Sequence, residues 1–203
     1  MEKTARIISA IFSPLLIPTY AIATVFYTTI LFVVTTATKL GVIGMTFIIT
    51  SLIPALLIFL LYKLKVVSDT GLNERRERLV PYGLTVCAYL AMSFYLNAIH
   101  SPLWLTMFMV GAAIATVVAA VVNLYWKISA HATAMGGFLA FVFLLMYFQL
   151  NVANIRWLMY LAIIAWGLVC TSRVGLGRHT LAQVFAGTVN GVACVLLAVF
   201  LGH

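Results

Sequence analysis

The chain contains very little acidic charge. Only four of its 203 residues are Asp or Glu, and charged residues of both signs make up 8% of the chain. An ordinary soluble domain carries about 25% charged residues, so this composition excludes that class. The net charge is +8, but the cations fall in separate loops and do not form one continuous face. A membrane surface or a phosphate group is therefore a better partner than nucleic acid.

Cysteine is also scarce. Cys87, Cys170 and Cys194 each lie inside an apolar run, without paired or metal-like spacing. This spacing argues against a disulfide framework. We interpret all three cysteines as small packing residues.

What the chain has in abundance is apolar sequence, which accounts for 65% of its residues. A transmembrane helix needs about 20 apolar residues. Because the apolar runs are continuous and do not alternate with a period of two, they predict helices and not barrel strands. We therefore predict an all-α, polytopic transmembrane helix bundle, with residues 1–203 as a single integral membrane domain. The seven candidate spans are approximately Ile7 to Thr36, Leu40 to Tyr62, Tyr82 to Ile99, Leu103 to Trp126, Ala132 to Leu150, Trp157 to Thr171 and Leu181 to Gly202.

The first candidate span is too long for a simple crossing and contains Pro14 and Pro18. It is compatible with a tilted or kinked helix, or with an interfacial piece followed by a span. Six spans and seven spans both fit the sequence. The apolar run after the basic start is too long for a cleavable signal peptide and lacks a small-residue exit, so we expect this segment to remain.

Three polar stretches interrupt the apolar runs, at residues 73–81, 127–131 and 172–183. Polar and charged groups beside hydrocarbon are costly and usually mark a functional site. If all seven runs cross the bilayer, these stretches follow the second, fourth and sixth runs and share one side. We therefore predict that they form one joint site.

The basic residues favour a cytoplasmic position for this site. Most of them lie on the predicted site side, and the positive-inside rule places such loops in the cytoplasm. Residues that bind phosphate are positive for a reason unrelated to insertion, so the side stays open at this stage. Without the three polar stretches, the comparison is Lys3, Arg6, Lys63 and Lys65 against Lys39 and Arg156.

The third polar stretch contains a candidate nucleophile. His179 stands at the start of the last apolar run, and Gln183 follows one helical turn later on the same face. The Gln183 amide can then hold one imidazole nitrogen, which leaves the other nitrogen available to attack phosphorus. The exposed N–H groups of a helix start favour an anion nearby.

The same stretch contains candidate phosphate ligands. Arg173 and Arg178 can make charge-assisted contacts with phosphate oxygens, and Gly175 and Gly177 allow a close backbone approach. The alternative interpretation is a positively charged interfacial loop with a helix-capping histidine.

The second polar stretch contains another histidine at a helix start. Ser129 is a suitable N-cap for a helix that opens at Ala130, which again directs a helix amino terminus toward the site. His131 can then protonate a leaving alkoxide. Lys127 can neutralise phosphate, or it can anchor the end of the fourth span beside Trp126. Capping or packing is the alternative role for His131.

The first polar stretch, residues 73–81, contains three arginines and two glutamates before a proline. Arg78 is closest to the following apolar run and is our first candidate phosphate ligand here, with Arg75 second. Glu74 and Glu77 orient the arginines in this interpretation. The alternative is a solvated loop in which the charges pair with one another.

Together, the three stretches resemble the signatures of the type 2 phosphatidic acid phosphatase superfamily. The third signature of that family is Ser-Arg, five residues, His, three residues and Asp. Ser172, Arg173 and His179 reproduce this spacing, with Gln183 at the Asp position. An amide can orient His179 but cannot stabilise its cation as a carboxylate would.

The other two signatures are matched in part. Residues 128–131 read Ile-Ser-Ala-His, where the family has Pro-Ser-Gly-His. The family's Lys, six residues and Arg-Pro survives as the arginine cluster that leads to Pro81. The phosphatase-like signatures thus lie within residues 73–187, in the family order.

The resemblance implies that His179 forms a phosphohistidine and that His131 is the general acid for the leaving group. It also implies that Arg173 and an arginine of the first stretch hold the phosphoryl oxygens, without a metal or another cofactor. Bacterial members usually face the site outward, against the charge count. We expect a multi-pass protein of a bacterial inner membrane.

The sequence therefore predicts a metal-independent phosphatase for a lipid phosphate or diphosphate. Polyprenyl diphosphate, phosphatidic acid, phosphatidylglycerophosphate and lipid A phosphate all fit. The expected partners are the phosphorylated lipid and the bilayer, with no nucleic acid, and the oligomeric state is not predicted. One alternative is a non-catalytic phospholipid-binding or lipid-transport protein. The other is a small-solute transporter, although the charges gather at one surface and not deep in the spans.

Overall fold

The computed structural model describes residues 2–65, 79–152 and 154–202. The described residues form helices joined by short connections, as the continuous apolar runs predict. The helices are α1 (Glu2–Ile11), α2 (Ile17–Thr28), α3 (Thr36–Phe47), α4 (Ile53–Lys63), α5 (Leu79–Ala98), α6 (Leu103–Tyr125), α7 (Ala130–Tyr147), α8 (Arg156–Gly175) and α9 (Leu181–Leu201).

Six helices of the described ranges are long and apolar enough to cross a bilayer. They are α5 to α9 and the continuous helix Thr36–Lys63, in which α3 and α4 are joined by a π-helical turn at Ile48–Leu52. Pro54 explains this turn, because proline has no N–H to donate to the carbonyl four residues earlier. The predicted all-α transmembrane bundle is confirmed.

The first predicted span, Ile7 to Thr36, is not one continuous helix. Residues 12–16 separate α1 from α2, and neither helix alone has the length of a span. Pro14 lies in the break, and Pro18 lies in the first turn of α2, where a missing N–H costs nothing. We call residues 9–18 the amino-terminal break.

Side chains from two other helices satisfy the carbonyl groups that the break exposes. The Tyr89 hydroxyl of α5 donates to the Pro14 carbonyl at 2.9 Å, and the Ser51 hydroxyl of the π-helical turn donates to the Leu15 carbonyl at 2.7 Å. A broken helix at membrane depth needs such partners, because hydrocarbon supplies none. The break is therefore a defined part of the fold.

The broken segment connects the two ends of the bundle. At one end, the Ser9 carbonyl lies 3.1 Å from the His131 Nε2 at the start of α7. At the other end, the Thr28 carbonyl accepts from the Val152 N–H at 2.9 Å, in the connection between α7 and α8. The first apolar run thus connects these ends through the mostly exposed helix α1 and the mostly buried helix α2.

The helices α7 and α9 pack closely because glycines line their contact. A Cβ atom added to Gly187 would lie 2.6 Å from the Ser129 carbonyl oxygen, and one added to Gly191 would overlap the Thr133 carbonyl. Small residues at helix contacts allow this approach in membrane proteins. The close contact brings the starts of α7 and α9 together.

Candidate active site

The starts of α7 and α9 are joined by a backbone hydrogen bond. The Ser129 N–H donates to the Gln183 carbonyl at 3.3 Å. The fully buried Ser129 hydroxyl accepts from the Ala132 N–H at 3.4 Å, so the predicted N-cap of α7 is confirmed. Two helix amino termini therefore meet at one end of the bundle, and both direct partial positive charge toward it.

A capping box begins α9. The Thr180 hydroxyl accepts from the Gln183 N–H at 3.4 Å, and the Gln183 Oε1 accepts from the Thr180 N–H at 3.2 Å. Thr180 and not His179 is therefore the N-cap, and the helix-capping alternative for His179 is wrong. The imidazole is available for another role.

The Gln183 amide also holds His179. The His179 Nδ1 lies 3.2 Å from the Gln183 Oε1, and the His179 residue is only 6% exposed. Because this oxygen already accepts from the Thr180 N–H, it serves as an acceptor toward the imidazole as well. Nδ1 therefore carries a proton in this contact, and in the neutral imidazole the lone pair is then on Nε2.

The turn between α8 and α9 explains the spacing of Arg173 and His179. Gly177 has φ of +65°, a left-handed conformation that glycine adopts without strain. The chain then folds back, so that the Arg178 and His179 N–H groups donate to the Arg173 carbonyl at 3.1 and 3.3 Å. A Cβ atom at Gly175 would contact no described atom, so only Gly177 is needed for this turn.

Helix α8 is longer than the predicted span Trp157 to Thr171. It continues to Gly175, so Ser172 and Arg173 belong to its last turn and not to a loop. A cation in the last turn of a helix is stabilised by the carbonyl groups there. This extra turn brings the half-buried Arg173 to the same end of the bundle as His179.

The imidazole of His131 contacts a segment that sequence reasoning did not connect with the site. Its Nε2 lies 3.1 Å from the carbonyl oxygen of Ser9, which is at the end of α1. A carbonyl can only accept, so His131 Nε2 carries a proton in this contact. The contact therefore fixes the orientation of the His131 ring at the start of α7.

Helix α1 also lies beside the turn between α8 and α9. The pKa of the exposed Glu2 carboxyl is held below its ordinary value, mainly by the hydrogen bond from Arg6 and in smaller part by the charge of Arg178. The amino-terminal segment therefore borders the site, together with the start of α7 and the turn between α8 and α9. The prolines were the only sequence signal for this segment, and they indicated a break but not its position.

His131, His179 and Arg173 line one common cavity of about 580 Å³. The amino-terminal break, Ile58 of α4 and the helices α5, α6, α7 and α9 form the rest of its described wall. Gln183 and Ser129 are not among its described lining residues. Gln183 instead holds the His179 imidazole, and Ser129 caps the helix that carries His131. The structure thus brings together the main predicted groups of the second and third polar stretches.

The other predicted phosphate ligands are not among the described residues that line the cavity. Lys127 is half-buried in the connection between α6 and α7 and is not among the described residues that line the cavity. Arg178 is likewise half-buried and borders α1. Arg75 and Arg78, with the rest of that arginine cluster, lie outside the described residues.

The arrangement defines an integral membrane helix bundle with a histidine and arginine site at one end. Residues 123–202 match the family model of the PAP2 superfamily, a phosphatase-type family, which confirms the predicted resemblance. The matched segment contains the Ser129–His131 and Ser172–Gln183 motifs. No curated protein and no solved structure matches the chain.

Proposed function

We propose that this protein is a phosphatase that hydrolyses a lipid phosphate or diphosphate through a phosphohistidine at His179. The observation that carries the proposal is the hydrogen bond from His179 Nδ1 to Gln183, in a cavity shared with His131 and Arg173. A neutral imidazole that donates from Nδ1 has its lone pair on Nε2, and two helix starts and an arginine at this end of the bundle favour a phosphoryl group.

In the first step, the His179 Nε2 attacks phosphorus and the bond between phosphorus and the lipid oxygen breaks. His131 gives its Nε2 proton to the leaving oxygen, so the lipid departs as an alcohol, or as a monophosphate when the substrate is a diphosphate. Arg173 stabilises the charge on the transferring group.

In the second step, water attacks the phosphohistidine. His131 accepts a proton from that water, inorganic phosphate leaves, and both histidines return to their starting states. The proton in this scheme passes from His131 to the lipid oxygen and is replaced from water, while His179 keeps its Nδ1 proton. The proposal therefore includes no metal and no cofactor.

The lipid is not chosen by the site itself. Polyprenyl diphosphate, phosphatidic acid, phosphatidylglycerophosphate and lipid A phosphate all present a terminal phosphoryl group to the histidines. We propose a bacterial inner membrane, with the site on the cytoplasmic side. The contact between Ser9 and His131 supports this side, because it places Lys3 and Arg6 at the site end of the bundle.

One observation favours a second candidate function. Gln183 is neutral, so it orients His179 without stabilising the imidazolium that forms in catalysis. A protein with this substitution can bind or move phospholipids on the same scaffold without hydrolysing them.

A phosphate-release assay separates the two functions. Purified protein is given a panel of lipid phosphates and diphosphates, and His179→Asn is compared with His100→Asn. His100 is exposed in the turn between α5 and α6, and its φ of +54° is one that Asn tolerates. We expect release from at least one lipid, a loss of about 10³-fold or more in His179→Asn, and no change in His100→Asn. Lipid binding without release in the wild type would instead support the non-catalytic function.

A further inference from the structure

The cavity continues well below the histidines. Phe108 and Ala119 of α6 both line it, and the rise from one to the other, eleven residue steps of about 1.5 Å each, is about 16 Å. The hydrocarbon core of a bilayer is about 30 Å thick, so this depth corresponds to about one leaflet. The cavity is therefore much deeper than a phosphoryl group requires.

The deep part of the cavity has apolar walls. Among its described lining residues, the imidazoles and the guanidinium all belong to His131, His179 and Arg173 at one end. The deeper threonines are already satisfied within their own helices. For example, the Thr116 hydroxyl donates to the Ala112 carbonyl at 2.8 Å, and the Thr85 hydroxyl donates to the Pro81 carbonyl at 2.9 Å.

The amino-terminal break forms one wall of this deep part. Pro14, Leu15, Ile17 and Pro18 all line it, and the hydroxyls of Tyr89 and Ser51 fix the backbone of the break. These residues lie outside the segment that matches the PAP2 superfamily, which begins at residue 123. One wall of the deep cavity is therefore supplied by residues outside the matched segment.

We propose that the deep cavity binds one hydrocarbon chain of the substrate, and that the amino-terminal break determines which chains fit. This inference rests on the proposed function, because the chain is that of the lipid whose phosphate meets His179. A volume of about 580 Å³ is within the range of about 300 to 1,000 Å³ for a single small ligand. A polar headgroup would leave hydrogen-bonding groups against these apolar walls, so a hydrocarbon chain is the occupant.

Two substrates that differ only in chain length test the proposal. Phosphate release is measured with butyl phosphate and dodecyl phosphate in detergent micelles, for wild type, Ala112→Phe and Val117→Phe. Ala112 is half-buried and lines the cavity, whereas Val117 lies on the same helix and is 46% exposed on the outer surface. Both variants add an aromatic ring to α6, so Val117→Phe is a matched control.

We expect wild type to prefer dodecyl phosphate by about 100-fold or more in kcat/KM, because several CH₂ groups are buried. Ala112→Phe should reduce kcat/KM for dodecyl phosphate by about tenfold or more and leave butyl phosphate within about twofold. Val117→Phe should leave both within about twofold. An equal loss for both substrates in Ala112→Phe, or the same loss for dodecyl phosphate in Val117→Phe, would overturn the proposal.

Removing a side chain from the break tests the second part of the proposal. Leu15→Ala keeps the carbonyl that accepts from Ser51 but widens the cavity wall. Citronellyl phosphate has a methyl-branched chain, which needs a wider cavity than the straight chain of dodecyl phosphate. We expect Leu15→Ala to raise kcat/KM for citronellyl phosphate, relative to that for dodecyl phosphate, by about threefold or more. An unchanged ratio would show that the break does not determine which chains fit.

Failure of the proposed function is recognised separately. If wild type releases phosphate from neither substrate, dodecyl phosphate with a photoreactive diazirine at its terminal carbon is crosslinked to the protein. Labels near Phe108 and Ala112 that Ala112→Phe removes would support the chain site in a non-catalytic protein. Labels confined to the outer surface around Val117 would contradict it.

Discussion

Residues 123–202, which match the PAP2 superfamily, differ from the amino-terminal region, residues 2–122, in how they contribute to the site. The matched segment positions its groups through local hydrogen bonds, such as that between His179 and Gln183, four residues apart. The amino-terminal region contributes through distant contacts, such as that between Ser9 and His131, 122 residues apart. We propose from this difference that residues 123–202 supply the phosphoryl chemistry and that residues 2–122 shape the cavity for the lipid.

The largest expected effect tests the chemistry of the matched segment. His131→Asn removes the proposed general acid and should lower kcat for lipid phosphate hydrolysis by about 10² to 10⁴-fold. A substrate with a better leaving group, such as p-nitrophenyl phosphate, should lose much less. Phosphate-release kinetics with both substrates measure this, with His100→Asn as the control. Equal losses with both substrates would show that His131 has only a structural role.

The second effect compares the packing of the two regions. Gly191→Ala places a Cβ atom against the Thr133 backbone and should cost about 3 kcal/mol, or about 10 °C in Tm. Gly44→Ala, in α3 of the amino-terminal region, meets no described atom within 4 Å and should instead stabilise the helix by up to about 1 kcal/mol. Thermal unfolding in detergent measures both shifts. Changes of the same sign and size would contradict the close contact of α7 with α9.

The third effect tests the neutral partner of His179. Gln183→Glu keeps the length of the side chain but adds a carboxylate, so the hydrogen bond to the imidazole becomes charge-assisted. We expect kcat at its optimal pH to rise by about tenfold, since a charge-assisted bond is stronger by about 1.5 kcal/mol.

The pH profile of the same variant gives an independent check. A carboxylate beside His179 raises the pKa of the imidazole, and the nucleophile must be neutral, so the acidic limb of the profile should move to higher pH. Gln183→Ala is the matched variant without an acceptor, and its kcat should fall. An unchanged profile in Gln183→Glu would mean that His179 is not the titrating nucleophile.

The smallest effect concerns the amino-terminal region. Tyr89→Phe removes the hydrogen bond to the Pro14 carbonyl in the break and should lower the free energy of unfolding by about 1 kcal/mol. Tyr160→Phe, at a residue 63% exposed on α8, should cause no change. Thermal unfolding of the two variants makes this comparison. Equal stability of both would show that the break does not depend on this bond.

Local geometry explains what the sequence could predict. The hydrogen bond of His179 with Gln183 and the Ser129 cap follow from helical spacing and capping preferences, which need only neighbouring residues. The six long spans follow from apolar length in the same way. These features are therefore visible in the sequence alone.

Long-range packing explains what the sequence could not predict. Nothing in the sequence near Ser9 indicates that its carbonyl meets His131, because that contact depends on how α1 packs at the site end of the bundle. Pro14 and Pro18 indicated a break, but the cavity beside the break is lined by residues of the helices α4 to α9, and this depends on how the whole bundle packs. The roles of Arg75 and Arg78 stay predictions.

The central claim is that His179 accepts the phosphoryl group. Its most direct test is to stop the reaction with alkali during turnover of a lipid phosphate. The peptide that contains residues 172–183 is then analysed by mass spectrometry. We predict a phosphate on the His179 imidazole that is stable in alkali, labile in acid and absent from His179→Asn. Continued phosphate release with no phosphate on His179, or with a phosphate trapped on a different residue, would contradict the account.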